Sequence, residues 1–277
     1  MRVLCLIISL FISVVSFSQS YNYAIFCKDT LTSKYMAGRA YIDNGDKKAA
    51  EFIRSELKKN NVSLLGEDGF QSVPLKVNNI LEADLYVGLK GRKLELGKEF
   101  LVLGASPTCD LILKNEKAKV ISTKAELEKL KPNKLKDKVL IFNLGELENY
   151  DAIRFLRTLK EESNTPKLAI IQGQDKLQYY TGRNVMSFPV VQLRDKIFSK
   201  KISRLSLSVK SEFHENYQSQ NVWAKVEGTK YKDSCFAFVC HYDHLGKIGS
   251  VHFPGANDNA SAVAVLLDLA KYYAKNP

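Results

Sequence analysis

Hydrophobic and polar positions along the chain first outline a helix over residues 46–58. Ala49, Ala50, Phe52, Ile53 and Leu57 fall on one face, with Lys47, Lys48, Glu51, Arg54 and Lys58 elsewhere, and Asn60-Asn61 ends it. Residues 70–75, 83–89 and 100–102 then read as strands separated by glycines and charged turns. Further on, apolar runs at 139–142, 168–171 and 188–191 alternate with a helical pattern over 150–160 carrying Ile153, Phe155, Leu156 and Leu159. Strand–helix–strand order with short connections predicts a small α/β unit. Residues 221–226 alternate again and Gly228 turns. The run CFAFVC at 235–240 predicts a central strand covered on both faces, with both of its cysteines as small buried hydrophobes. Val263, Leu266, Leu267, Ala270 and Tyr273 form the stripe of a final amphipathic helix.

Composition places the chain among ordinary globular proteins, with 45% hydrophobic and 26% charged residues in 277 positions. The formal charge of +11 is spread over most of the length. It lacks the arginine-rich or basic–aromatic clustering of a nucleic-acid surface, so no nucleic-acid partner is expected. The N-terminus changes the picture more. Arg2 precedes an apolar run from Val3 to Phe17, and Ser16 and Ser18 occupy the small-residue positions before Gln19. This predicts a signal peptide over residues 1–18, too short for a comfortable membrane span. The mature protein is therefore expected to be exported, periplasmic or extracellular, without stable membrane insertion. Cys27, Cys109, Cys235 and Cys240 would remain, at spacings that fit neither a disulfide framework nor a CxxC metal site.

Candidate chemistry is confined to residues 235–270. The predicted strand runs into His241-Tyr242-Asp243-His244, and open α/β sheets carry function at the carboxyl ends of their strands. In extended backbone His241 and Asp243 face the same side, so the carboxylate can orient the imidazole. Asp258, between Asn257 and Asn259, stands at the start of the last helix. Two roles fit it: an N-cap, or a metal ligand whose two oxygens bridge a pair of divalent ions. Arg39, in the loop before the first helix, reads as a structural salt bridge or cap.

HYDHLG followed by PGANDNAS resembles the signature of the co-catalytic zinc aminopeptidases of the aminopeptidase Y and bacterial leucyl aminopeptidase type (clan MH). Upstream, SKYMAGRAYIDNGDKKAAEFIRSELKKNNV is similar to the opening segment of that family, and QNVWAKVEGTK to the strand that re-enters its catalytic core. Residues 80–213 look like its inserted protease-associated domain. The resemblance implies an α/β fold, namely an incomplete zinc-peptidase α/β/α core with an inserted smaller α/β domain. Its parts would be the start of the core at 19–79, the insert at 80–213, and the first part of the metal-binding core at 214–277.

By motif position the resemblance makes His241 a ligand of one Zn2+ and Asp258 the bridge between two. Asp243 becomes the carboxylate behind His241. The Asp258–Asn259 peptide is often cis in relatives, while His244 and His252 are loop or pocket-rim residues rather than ligands. Ala262 replaces the glycine usual in the family, which should only tighten helix packing. Peptides are the implied substrates, cleaved at the N-terminal residue by a metal-activated water. The family's Glu-Glu pair, which supplies general base and ligand, its further acidic ligand and its last His have no counterpart here, because Glu161-Glu162 lies in the insert. The chain is accordingly expected to be a C-terminally truncated form, inactive alone. Two rival functions remain: a non-catalytic exported binding protein on a peptidase scaffold, and glutaminyl cyclisation on the same fold.

Overall fold

A computed structural model of the chain describes residues 20–159, 164–231 and 233–277. The predicted signal peptide and the Glu161-Glu162 pair lie outside the described residues. Helix α1 (Tyr21–Leu31) leads through a 3-10 segment (Lys34–Arg39) into α2 (Gly45–Lys59). The buried face of α2 carries Ala49, Ala50, Ile53 and Leu57. Asp46 in its first turn and Lys58 and Lys59 in its last complement the helix dipole. Strands β1 (Ser63–Leu64), β2 (Phe70–Val87), β3 (Arg92–Lys93), β4 (Phe100–Val102) and β5 (Cys109–Ile121) follow. Then come α3 (Lys124–Glu128), β6 (Val139–Asn143), α4 (Asn149–Leu156), β7 (Leu168–Gln172), β8 (Val190–Leu193), β9 (Lys201–Val222) and β10 (Ala224–Lys225). The short hairpin β11 (Gly246–Ile248) and β12 (Val251–Phe253) precedes a π-helical turn (Ala256–Ala260) and α5 (Ser261–Lys275).

The eight-stranded sheet has the order β3-β2-β9-β5-β6-β7-β8-β4. Its centre, β5 through β8, is parallel, while β9, β2 and β4 add antiparallel neighbours. Strands β6, β7 and β8 are buried on both faces because alternate side chains feed two apolar clusters. Val139, Ile141, Leu168, Ile170 and Val191 enter one; Leu140, Phe142, Ala169, Ile171 and Val190 enter the other. Burying each such large side chain contributes about 1.5–3 kcal/mol relative to exposure.

A third cluster joins the helices: Cys27 and Leu31 of α1, Ala49, Ile53 and Leu57 of α2, and Val263, Ala264 and Leu267 of α5. Asp268 of α5 accepts the backbone N–H of Ser20 at 2.7 Å and pins the start of α1. Connecting this helical cluster to the sheet is the antiparallel ribbon of β2 and β9, paired from Phe70↔Val222 to Val87↔Leu205. The expected strands at 70–75 and 83–89 are thus one strand. Bulges between Leu75/Val77 and Ile80/Glu82 absorb the break in alternation, so Val77, Asn78, Asn79 and Ile80 are all buried. Buried Asp46 ties α2 to this ribbon, accepting Tyr217 Oη and Ser219 Oγ at 2.7 Å each.

The expected central strand at 235–240 is not formed. No described strand pairs with it, and Phe236 and Val239 are 95% and 90% exposed. An apolar run becomes a covered strand only when sheet neighbours and packing layers surround it, and none of the described residues does so. Cys235 is consequently exposed and Cys240 half-buried, against the expectation that both are buried. Among the described residues no helix is long and apolar enough to cross a membrane.

Candidate metal centre

Tyr242 points away from its neighbours His241 and Asp243 into the helical cluster. Its hydroxyl donates to the Gln220 carbonyl and accepts from Gln220 Nε2 at 2.9 Å. Burial pushes this phenol up to about 12. Anchoring every second side chain in this way presents His241 and Asp243 together on the open side.

His241 Nδ1 lies 3.4 Å from Asp243 Oδ1 and 3.1 Å from the Asp243 carbonyl oxygen. The other Asp243 oxygen accepts Tyr41 Oη at 2.9 Å. Two acceptors therefore face Nδ1 and favour the tautomer with its proton there. The remaining ring nitrogen, Nε2, then presents a lone pair to Asp258 Oδ1 at 3.1 Å, with the two side chains 55% and 65% exposed. Two acceptor atoms at this separation, open to solvent, are completed by a proton or a cation. The spacing also suits two ligands of one ion at roughly 2.0–2.2 Å each. Among the described residues no group of three or more His, Cys, Asp and Glu forms a complete metal cluster. The donor chemistry suits zinc, but among the described residues only two donors of a four-coordinate set come together.

Of the two roles open to Asp258, capping is not observed. The residue has φ −115° and ψ 94°, and neither the π-helical turn nor α5 receives a side-chain cap. The Asp258–Asn259 peptide is cis. Asn259 Nδ2 donates to the His241 carbonyl at 3.1 Å, stitching the two clusters together through the backbone. His244 Nδ1 lies 3.5 Å from Asp258 Oδ2 with its own side chain mostly buried. Burial holds this imidazole below the usual histidine range, Asp258 acting against the shift and Arg39 and His241 with it. Gly255 packs directly beneath. At φ +61° a Cβ there would stand 2.4 Å from the His244 ring and from the Asp258 carbonyl oxygen. His252 sits on β12, and its Nδ1 has no hydrogen-bond partner among the described residues.

Arg39 caps the C-terminal carbonyl of α1 at Leu31, as one of its two expected roles, and forms no salt bridge among the described residues. Fully buried, its guanidinium donates to carbonyl oxygens on both sides of the site: Tyr242 at 2.7 Å, Leu31 at 2.8 Å, Pro254 at 2.7 Å, Gly255 at 2.8 Å and, at 3.4 Å, Asp258. His244 N–H returns a bond to the Arg39 carbonyl at 3.2 Å. Burial pulls the guanidinium down to about 10, against the pull of Asp258 and Asp243. One side chain thus fixes the His241–Asp243 segment relative to the Gly255–Asp258 turn. Sequence reasoning allowed for a cap but missed the bridging to Tyr242, Pro254, Gly255 and Asp258, because carbonyl acceptors belong to every residue and leave no mark in composition. The one available signal was an arginine directly after Gly38 in the loop before α2.

Residues 221–277 match Peptidase family M28. No curated protein matches the chain. Among solved structures, an aminopeptidase from Aneurinibacillus sp. strain AM-1 superimposes with a TM-score of 0.58 at 20% identity, covering 93% of this chain and 60% of its own. BSAP, a zinc aminopeptidase from Bacillus subtilis, gives 0.57 at 18% identity, covering 95% and 60%. A Peptidase M28 precursor from Shewanella amazonensis SB2B gives 0.59 at 18%, covering 92% and 60%. The chain therefore spans about 60% of the length of these relatives. Its mixed α/β fold is the one seen in M28 aminopeptidases, and its residues 221–277, which hold both acid–imidazole clusters, are where the family match falls.

Proposed function

We propose that this chain is the metal-binding portion of an exported, zinc-dependent aminopeptidase that removes N-terminal residues from peptides. His241 and Asp258 would be metal ligands, Asp258 bridging two zinc ions in a complete site. Asp243 would orient His241. The observation that carries the reading is the opposition of His241 Nε2 and Asp258 Oδ1 at 3.1 Å, with Asp243 and Tyr41 behind the imidazole. Bound zinc would supply a polarised carbonyl and an acidified water. The protein's part is to hold the ring in one tautomer, keep the Asp258 carboxylate uncapped, and fix both through Arg39. Residues 19–79 and 214–277 are proposed as peptidase core, and 80–213 as a protease-associated-like insert. The M28 match and the zinc aminopeptidase relatives support this reading.

Since the described residues offer two ligands and no general base in reach of them, the chain alone should bind zinc weakly and turn over no substrate. Zinc titration alongside hydrolysis of an aminoacyl p-nitroanilide tests this. Micromolar or weaker zinc binding lost in His241→Ala and Asp258→Ala is expected. Zinc binding unaffected by either substitution overturns the ligand assignment. The same lack of a three-residue cluster favours a second reading, a non-catalytic exported binding protein on a peptidase scaffold. Peptide binding without any zinc dependence is its distinguishing result.

A further inference from the structure

Beside the metal-facing atoms, on the far side of Asp243, lies a cavity of about 210 Å³. Tyr41, Asp243 and His244 form one wall, Lys76 and Val77 of β2 a second, and Tyr180, Thr181 and Arg183 a third. At ~30 Å³ per water it holds about seven waters, or one small side chain. The third wall is contributed by the loop between β7 and β8, from the region distinct in sequence from the helical cluster.

That loop is held rigidly. Asn78 N–H donates to the Gly182 carbonyl at 2.7 Å, and Asn78 Nδ2 donates to Gly104 and Ser106 carbonyls at 2.7 and 2.9 Å. Gly104 and Gly182 approach so closely that a Cβ on Gly182 would stand 2.3 Å from the Gly104 oxygen. Tyr179 stacks on Phe253 of β12, ring centroids 5.2 Å apart and planes within 14°. The loop is thereby fastened both to the sheet and to the hairpin that leads into Gly255 and Asp258.

The charges lining the cavity do not balance. Lys76 pairs with Glu215. Asp243 is engaged by Tyr41 and His241. Arg183 is exposed and, among the described residues, has neither an acidic partner nor a hydrogen bond. A guanidinium on a fixed loop lining a small cavity whose walls are largely apolar has the planar two-pronged geometry for a carboxylate.

We propose that this cavity is a carboxylate subsite in which Arg183, with Lys76 nearby, receives a carboxylate of a peptide whose N-terminal bond lies over His241 and Asp258. The inference rests on the peptidase reading for the placement of the peptide. The carboxylate could come from an acidic side chain or from the free C-terminus of a dipeptide, and the two are separable. Binding to the full chain is followed by NMR titration with four probes: Glu-Ala amide, Gln-Ala amide, Ala-Ala and Ala-Ala amide. The carboxylate-bearing member of one pair should bind about tenfold more tightly than its neutral partner. A preference within the first pair identifies the side chain, and within the second the C-terminus. Arg183→Gln should erase the preference and Arg183→Lys keep part of it, both with an unchanged circular dichroism spectrum.

Equal binding of charged and neutral probes, no binding of any, or a preference that survives in Arg183→Gln each overturns the proposal. Zinc titration of the same samples keeps the two ideas apart. Carboxylate selectivity without zinc binding sinks the peptidase reading alone, whereas zinc binding without selectivity sinks the subsite alone.

Discussion

Replacing Arg39 by Met should remove about 4 kcal/mol of stability and most of the zinc affinity. Methionine fills the space of the aliphatic stem but donates nothing. Four of the Arg39 contacts are short, at 2.7–2.8 Å, and a fifth is long at 3.4 Å. At about 1 kcal/mol net for each short bond the loss is near 4 kcal/mol, within the ~3–5 kcal/mol seen when one partner of a buried charged network is deleted. That is a large share of the ~5–15 kcal/mol typical of a folded domain. Arg39→Lys keeps the charge but donates from a single point, so it cannot reach Leu31, Tyr242 and Gly255 together; about half the loss is expected. Urea denaturation followed by the fluorescence of Trp223, the sole tryptophan, gives the free energies. Chelator competition under conditions where the variants stay folded gives the zinc affinities. A loss below about 1 kcal/mol in Arg39→Met refutes the clamp. Stability that falls while zinc affinity holds refutes its role in positioning His241 against Asp258.

Phe236→Ala should change stability by under ~0.5 kcal/mol, whereas Phe142→Ala should cost about 3–5 kcal/mol, because the first buries nothing and the second fills a core; equal losses would mean that 235–240 is covered in solution. Gly255→Ala combines a left-handed backbone with contacts at 2.4 Å, so it should lower stability by about 2–4 kcal/mol and shift the His244 ring resonances, and an unperturbed His244 spectrum would contradict the packing. Asp243→Asn should weaken zinc binding about 10–100-fold without unfolding the chain, as measured by the same chelator competition; unchanged affinity removes Asp243 from the site. Burial pushes the Cys27 thiol from 9.0 to about 11. The unfolded thiol then ionises first, so stability should fall as pH rises from 9 to 11, more steeply in the wild type than in Cys27→Ala, and an identical slope in urea titrations would dismiss the linkage.

The sequence carries its fold where local pattern and burial coincide. The stripe of α2 and the short apolar runs of β6, β7 and β8 read correctly because each pattern is complete within its own element. The ribbon misread came from residues 76–82, where two bulges reset the alternation and polar Asn78 and Asn79 are buried by partners far along the chain. The 235–240 segment misread for the opposite reason: its residues have every intrinsic preference for a covered strand, yet the described chain places no sheet neighbour beside it. In the candidate site, the meeting of His241, Asp243 and Asp258 was legible because imidazole and carboxylate are residue types that mark themselves in a sequence. Arg39 and Arg183 were not, since what makes each informative is its company. Five backbone carbonyls surround the first, and no described counter-charge meets the second.

The β2–β9 ribbon bears on the order in which the molecule can assemble. Arg39 and Tyr242 are 203 positions apart in sequence, and bringing such distant points together costs chain entropy that grows with the length of the closed loop. Once Phe70 pairs with Val222, most of that span is already looped out, and only short arms at either end still have to find each other. The zipped ribbon therefore shortens the effective path between the two halves of the site, whose mutual placement rests on a long-range strand pairing that Tyr242 itself touches through Gln220.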